Sequence, residues 1–241
     1  MIYLFFPKQE NGVSLTPTLS NGECLGLGYL TSMLRINGYT VKIVNAECEF
    51  ENNIDLIDLL IKDKPSLLGI SPVATTMNDT LKICRRVKEL LPDIHITLGG
   101  HHVTAMAHEL LYNEEYIDSI IMGEGEYSIV ELADIVSGKT HTISGHISTR
   151  INGVIKIGKK YLINAIDEIP YPARDTLEKI INMNDRREAR LVTSRGCIGN
   201  CTFCTSPYFY NRTWRAHSSI RVVDEIEMLI KKYNISHIMD Q

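Results

Sequence analysis

Residues 94–102, Ile94-His-Ile-Thr-Leu-Gly-Gly-His-His102, pass from a short, largely apolar run straight into paired glycines. The same order of strand-like run, small residues and helical pattern recurs on either side. Upstream, residues 67–71 form a run whose end carries Gly69, Ser71 and Pro72; downstream, 117–122 lead into Gly123-Glu124-Gly125-Glu126. Short apolar runs bounded by turn residues are what strands buried on both faces of a parallel sheet look like. Between them the apolar period changes to 3.6. A helix begins near Asp79 with Cys84, Val87 and Leu91 on one face, and further helices fall at 103–111 and 126–136. Further out, Ile2–Phe6 and 41–44 read as the first two strands. They are joined by a helix in which Leu27, Leu30 and Leu34 recur at i, i+3 and i+7, with Gly38 where a helix C′ glycine belongs. A helix at 54–61, stopped by Pro65, completes the set. Five β-α units with short connections predict a doubly wound parallel α/β sheet of flavodoxin type over residues 1–138.

Beyond Gly138 the character changes. Runs at 143–149 and 154–157 flank Ile151-Asn152-Gly153, a hairpin signal. Pro170 and Pro172 punctuate the next stretch, and 175–190 reads as charged linker with one short helix, so 139–188 is expected to be hairpin and linker. A strand at 189–193, a strongly periodic helix at 220–233 (Val223, Ile226, Leu229, Ile230) and a strand from 236 to 239 complete the chain's pattern. Such a strand-loop-helix-strand unit cannot bury both its faces. Residues 189–241 are therefore expected to be the opening of a second, incomplete domain.

Composition narrows the function. The 241 residues carry 25 Lys and Arg against 29 Asp and Glu, a formal charge of −4. This is opposite to the basic excess of a duplex nucleic-acid binder. Hydrophobic residues at 44 % and charged residues at 22 % are globular values. No apolar run reaches the roughly 18 residues of a membrane helix. The apolar start lacks the basic flank and cleavage site of a signal peptide, so a cytoplasmic protein is expected.

Three of the six cysteines, Cys24, Cys48 and Cys84, are scattered; the other three form Cys197-Ile-Gly-Asn-Cys201-Thr-Phe-Cys204 directly after a predicted strand. Three thiolates this close can face one centre, and Gly196 and Gly199 permit the tight path around it. A closed zinc site needs four ligands. The only nearby fourth candidate, His217, lies thirteen residues past Cys204. Three thiolates without a fourth suit a [4Fe–4S] cluster with one open iron. The C-x3-C-x2-C run, with Phe203 before its last cysteine, resembles the cluster motif of the radical S-adenosylmethionine (SAM) enzymes. Thr193-Ser-Arg-Gly-Cys197, Trp214-Arg215 and Val222-Val-Asp-Glu-Ile226 resemble the subgroup that carries an N-terminal cobalamin-binding domain. The resemblance implies Cys197, Cys201 and Cys204 as cluster ligands and Phe203 as a neighbour of the SAM adenine. It also implies reductive cleavage of SAM to start radical chemistry, most often methyl transfer to a small-molecule or peptide substrate. The electron donor would be a flavodoxin or ferredoxin.

In an open α/β sheet, ligands bind beyond the carboxyl ends of the strands. The small residues at three successive strand ends resemble the cobalamin-binding domain, and by that resemblance Ser71, Gly99, Gly100 and Gly123 would line the groove for the nucleotide tail, with Glu124 at its rim. One departure matters. Many cobalamin domains place D-x-H-x-x-G in the first loop to supply a cobalt ligand, but the loop 7–24 has no histidine, and His95 falls on a strand. Cobalamin would then bind without a histidine from that motif. His101 and His102 read as loop residues rather than metal ligands, and Cys84 as a buried thiol on an apolar helix face. Two other readings stay open: a radical SAM enzyme whose first domain binds no corrin, and a non-enzymatic corrinoid or zinc carrier. Absorbance with cobalamin separates the first, and metal analysis the second.

Overall fold

The computed structural model describes residues 1–10, 23–151, 153–184 and 187–240. Most of the loop 7–24, together with Asn152 of the hairpin turn, lies outside these described residues.

Five strands form the body of the main sheet: β1 (Ile2–Phe6), β2 (Val41–Asn45), β3 (Leu67–Ile70), β4 (His95–Leu98) and β5 (Ser119–Ile121). They are parallel in the order β2-β1-β3-β4-β5, the flavodoxin-type order expected from the sequence. His95 opens β4, as a strand residue should. The helices are α1 (Leu25–Ile36), α2 (Ala46–Glu49), α3 (Leu56–Asp63), α4 (Met77–Leu90), α5 (His101–Asn113) and α6 (Glu126–Val136). Alternate residues of β1 face opposite layers. Tyr3 and Phe5 join a core with Leu60, Val87 and Leu111, whereas Ile2 and Leu4 join Leu27, Leu34 and Ile129. Covering both faces explains why the strands read as continuous apolar runs; each such side chain taken from water contributes about 1.5–3 kcal/mol. Cys84 lies in the first of these cores, where burial pushes its thiol up to about 12. The chain leaves β1 toward β2 and returns on the other side at β3, so the loops after β1 and β3 diverge and open a crevice at the carboxyl ends.

The sheet does not stop at residue 138. β6 (Ile147–Ile151) and β7 (Val154–Lys156) add two antiparallel strands beside β5, making seven. A bare β5 would leave an unpaired edge, and the hairpin satisfies it. Just past the hairpin, Tyr161 runs parallel to Gly123, exchanging Tyr161 N–H to the Met122 carbonyl (3.0 Å) and Glu124 N–H to the Tyr161 carbonyl (2.8 Å). The charged stretch after Pro172 is also more than a linker. It contains α7 (Asp175–Asn184), tied to the first layer by a bidentate Arg35–Asp175 pair at 2.6 and 2.9 Å and by Lys179–Glu49 at 2.6 Å. Its apolar residues Leu177 and Ile181 pack instead with Ala189, Leu229 and Ile235.

The remaining elements are β8 (Glu188–Leu191), β9 (Ser194–Gly196), α8 (Ser206–Phe209), β10 (Trp214–Ala216), α9 (Ser219–Tyr233) and β11 (His237–Asp240). β8 and β11 pair in parallel across the α9 crossover. Inserted between β8 and α9 is an antiparallel hairpin of β9 and β10 that carries the cysteines in its loop. These three-residue strands are too short to show a period. Ile220, Val223 and Ile230 of α9 remain half or more exposed.

Gly123 illustrates what the backbone demands here. Its φ is +83°, and a Cβ would stand 2.3 Å from the Tyr161 carbonyl oxygen. Gly138 has a similar φ of +76° but open space around it. Gly123→Ala is expected to cost about 3–4 kcal/mol, from left-handed strain plus overpacking, and Gly138→Ala only about 1–2 kcal/mol from strain. Urea unfolding of the two variants checks this; equal losses would show that the Tyr161 contact carries no weight.

Candidate functional site

At the carboxyl ends of β3, β4 and β5 lies a cavity of about 580 Å³. Ser71, Gly99, Gly100, Gly123 and Glu124, which come from three separate strand ends, all line it. Its inner walls are apolar, built from Leu4, Leu27, Leu98, Ile121 and Ile129, while Ser71, Thr97 and His101 supply polar edges. The two paired glycines differ. A Cβ on Gly99 would meet nothing within 4 Å, so this position borders empty space. Gly100 has φ +101° and a Cβ there would lie 3.3 Å from Ser71 Oγ, so it is needed for the turn into α5 as well as for room. The cavity thus has the apolar walls, sparse polar groups and missing side chains that a bulky ligand requires.

Sequence reasoning missed the other half of the lining. Leu25, Gly26 and Tyr29 of α1 form one side, and the segment that bears the cysteines forms the roof through Arg195, Gly196, Ser206, Phe209 and Tyr210. The small pair Gly26 and Gly28 near the start of α1 was the available signal. A Cβ at Gly28 would meet the Ala173 carbonyl oxygen at 2.7 Å, which shows how closely the connecting chain crosses this helix.

Buried charge holds the roof down. Glu124 is only 6 % exposed, and its carboxylate accepts two bonds from Arg215 at 2.7 and 2.9 Å, one from Ile163 N–H at 2.6 Å and a longer one from Arg195 at 3.4 Å. It therefore sits inside the structure as an anchor for β9 and β10, not as an open group at a rim. Arg195 also pairs with Glu126 at 2.6 Å and lies over the Tyr29 ring, 4.8 Å from its centroid. The two carboxylates hold the Arg195 guanidinium charged by raising its pKa despite burial, which opposes them. A second buried group fixes the same unit from behind. Arg174 pairs with Glu23 at 2.7 Å and Glu225 at 2.5 Å and donates to the Arg190 carbonyl at 2.9 Å.

Cys197, Cys201 and Cys204 are exposed free thiols on the loop between β9 and β10. Gly199 N–H donates to Cys197 Sγ at 3.3 Å, and a Cβ at Gly199 would fall 3.3 and 3.9 Å from the sulfurs of Cys197 and Cys201. This glycine keeps the two thiols from being pushed apart. Hydrogen bonding from Ser206 lowers the Cys204 pKa, favouring its thiolate. The donor set is soft and suits iron–sulfur ligation. Among the described residues, however, no three Cys, His, Asp or Glu side chains converge closely enough to hold one metal ion. Phe203, between the last two cysteines, is 90 % exposed. His217 is buried and bound through Nδ1 to Asp167 at 2.8 Å. His101 lines the cavity and stacks on Phe209.

Residues 16–133 match the family described as the B12 binding domain. Over 98 % of its length the chain is 32 % identical to an uncharacterized methyltransferase of Pyrococcus horikoshii, of which it covers 52 %. It is 29 % identical, over 87 % of its length, to the anaerobic magnesium-protoporphyrin IX monomethyl ester cyclase of Rubrivivax gelatinosus, covering 39 % of that protein. The chain thus spans about half the length, or less, of these curated relatives. In fold it resembles OxsB, a cobalamin-dependent S-adenosylmethionine radical enzyme solved with aqua-cobalamin and S-adenosylmethionine. That match has a TM-score of 0.78 and 22 % identity over the whole of this chain and 34 % of that one. No helix among the described residues is long and apolar enough to cross a membrane.

The Arg174 group yields a pH test. One guanidinium serves two carboxylates, and burial pushes both Glu23 and Glu225 above the usual carboxylate range. Arg174→Met should cost about 3–5 kcal/mol at pH 7 by leaving both carboxylates uncompensated. In the variant the native state binds more protons than the unfolded chain, so stability must fall as pH rises above the ordinary Glu value of about 4.3. Denaturant unfolding from pH 5 to 8 should show the deficit smallest at pH 5. A deficit independent of pH would contradict the charge argument.

Proposed function

We propose that the chain belongs to the radical SAM enzymes that carry a cobalamin-binding domain, and that it forms the corrinoid-binding and cluster-bearing part of a methyltransferase. The observation that carries this reading is the shared wall. Five residues from three strand ends line one cavity, and the segment flanking the three cysteines closes over it. In this reading residues 1–138, extended by the hairpin, receive cobalamin; 139–188 connect the two parts; and 189–241 belong to the radical SAM domain.

Each residue then has a task that its surroundings support. Gly99 and Gly100 leave room for the nucleotide tail, Ser71 Oγ offers it a hydrogen bond, and Leu4, Leu27 and Ile129 exclude water from it. Glu124 and Glu126 hold Arg195 and Arg215 so that the roof stays in place. Cys197, Cys201 and Cys204 would hold a [4Fe–4S] cluster, with Gly199 N–H donating to sulfur, and Phe203 would offer an apolar surface to the SAM adenine. When bound, the cluster supplies the electron that cleaves SAM and the corrinoid supplies the transferred methyl group. The substrate would be a small molecule or peptide, and the electron donor a flavodoxin or ferredoxin. The loop 7–24 contains no histidine, which supports corrinoid binding without a ligand from that motif.

Gly99→Phe tests the cavity directly, since the new ring would enter open space on an unstrained backbone. Titration with hydroxocobalamin should show affinity reduced at least about tenfold, the scale of blocking a built pocket, with the unfolding midpoint unchanged. Undiminished affinity in the folded variant would place the corrinoid elsewhere.

For the cluster, anaerobic reconstitution with iron and sulfide should give iron–sulfur absorbance in the parent chain. Cys197→Ala, Cys201→Ala and Cys204→Ala should each abolish it, and Cys84→Ala should not. Retention in any of the first three would remove that residue from the ligand set.

A further inference from the structure

His101 stands where the two halves of the site meet. It is the first residue of α5, directly after the paired glycines of the cavity wall. Its ring lies 3.9 Å from that of Phe209 at an interplanar angle of 27°, and Tyr210 meets it edge-on at 5.4 Å. Phe209, 4 % exposed, is the last residue of α8 and follows Cys204 by five positions.

The element that His101 touches cannot hold itself in place. α8 has four residues, closed by Phe209 N–H to the Thr205 carbonyl and Tyr210 N–H to the Ser206 carbonyl, both at 2.9 Å. Helices this short are far below the length at which propagation outweighs nucleation, so tertiary contact must fix them. Before the cysteines, the roof is tied by Arg195 to Glu124 and Glu126. After them, α8 meets α5 through this aromatic stack, while Lys160 bonds the Tyr208 carbonyl and lies 4.0 Å over its ring and Arg215 lies 5.8 Å over the Tyr210 ring. Burial also lowers the His101 pKa, which favours the neutral ring in this apolar contact.

We propose that His101 is a positioning residue whose stack on Phe209 holds segment 204–210 over the cavity, so that filling the cavity and ordering the end of the cysteine loop are one coupled event. The coupling is reciprocal: whatever steadies the cysteine loop must tighten binding in the cavity by the same factor. The part of this inference that concerns cobalamin rests on the function proposed above; the stack itself does not.

Amide hydrogen exchange on the reduced full chain, without and with hydroxocobalamin, tests it. An aromatic pair of this kind corresponds to about 2- to 12-fold in a local opening equilibrium. His101→Ala should therefore speed exchange in 204–210 within that range, while α1 and α4 keep the parent's protection. His101→Phe, which retains a ring, should exchange like the parent. Should the alanine variant lose protection in α1 and α4 as well, His101→Gln, of closer volume but without a ring, carries the same expectation. Hydroxocobalamin should slow exchange in 204–210 in the parent and His101→Phe, and less in His101→Ala. Unchanged exchange at 204–210 in the ringless variants, or equally fast exchange in His101→Phe, would overturn the proposal. If hydroxocobalamin binds none of the proteins, the corrinoid reading fails, and the comparison without it still decides the stack.

Discussion

A single buried carboxylate organises the site. Glu124 stands at the turn after β5 and receives two arginines from the β9–β10 hairpin, along with a backbone amide from the connecting chain. Charges withdrawn from water to this degree are tolerated only when paired and hydrogen-bonded, so the hairpin has little freedom to lie anywhere else. Arg195 needs Glu126 and the Tyr29 face as well, which draws α1 and α6 into the same arrangement. Remove that node and the cavity loses its roof, while the cysteine loop loses its fixed base. The Arg174 group, behind the roof, repeats the principle at the contact between α9, β8 and the chain just before α1.

The glycines at the three strand ends form one pattern in the sequence and perform three different tasks. Gly99 leaves volume vacant, Gly100 supplies a left-handed turn beside Ser71, and Gly123 admits the Tyr161 backbone. Only the first makes room for a ligand and nothing else. Substituting them as equivalent positions would mix a binding effect with two folding effects. Glu124, next to Gly123, points into a salt-bridge network because Arg215 and the Ile163 amide hold its carboxylate.

The surface around the cysteines has the opposite character. Ile198, Phe203 and Trp214 are 77, 90 and 58 % exposed, in a chain whose first core is closely covered. Apolar patches of this kind mark contact surfaces. α7 bridges the two parts: its charged residues grip α1 and α2, while its apolar residues pack with Ala189, Leu229 and Ile235.

Much of this was legible from local pattern alone. The five parallel strands could be read because each is buried on both faces and so is uniformly apolar, and the candidate cavity residues could be read because topology sends the strand ends to one crevice. The cysteine run could be read as a soft three-thiolate donor set because its three members fall within eight residues. The β9–β10 hairpin could not be read, because three-residue strands have no period. Nor could the extension of the sheet beyond residue 138, because Ser119–Ile121 shows a strand without showing what covers its edge. The docking of α7 looked like charged linker, because its charges find partners about 130 and 140 residues away in sequence. Sequence by itself thus determined the layers and the chemical inventory, which depend on local periodicity and residue type. Tertiary structure alone decided that Glu124 is an anchor, that Phe209 meets His101, and that cavity and cysteines share a wall, because those depend on charges and rings brought together from distant parts of the chain.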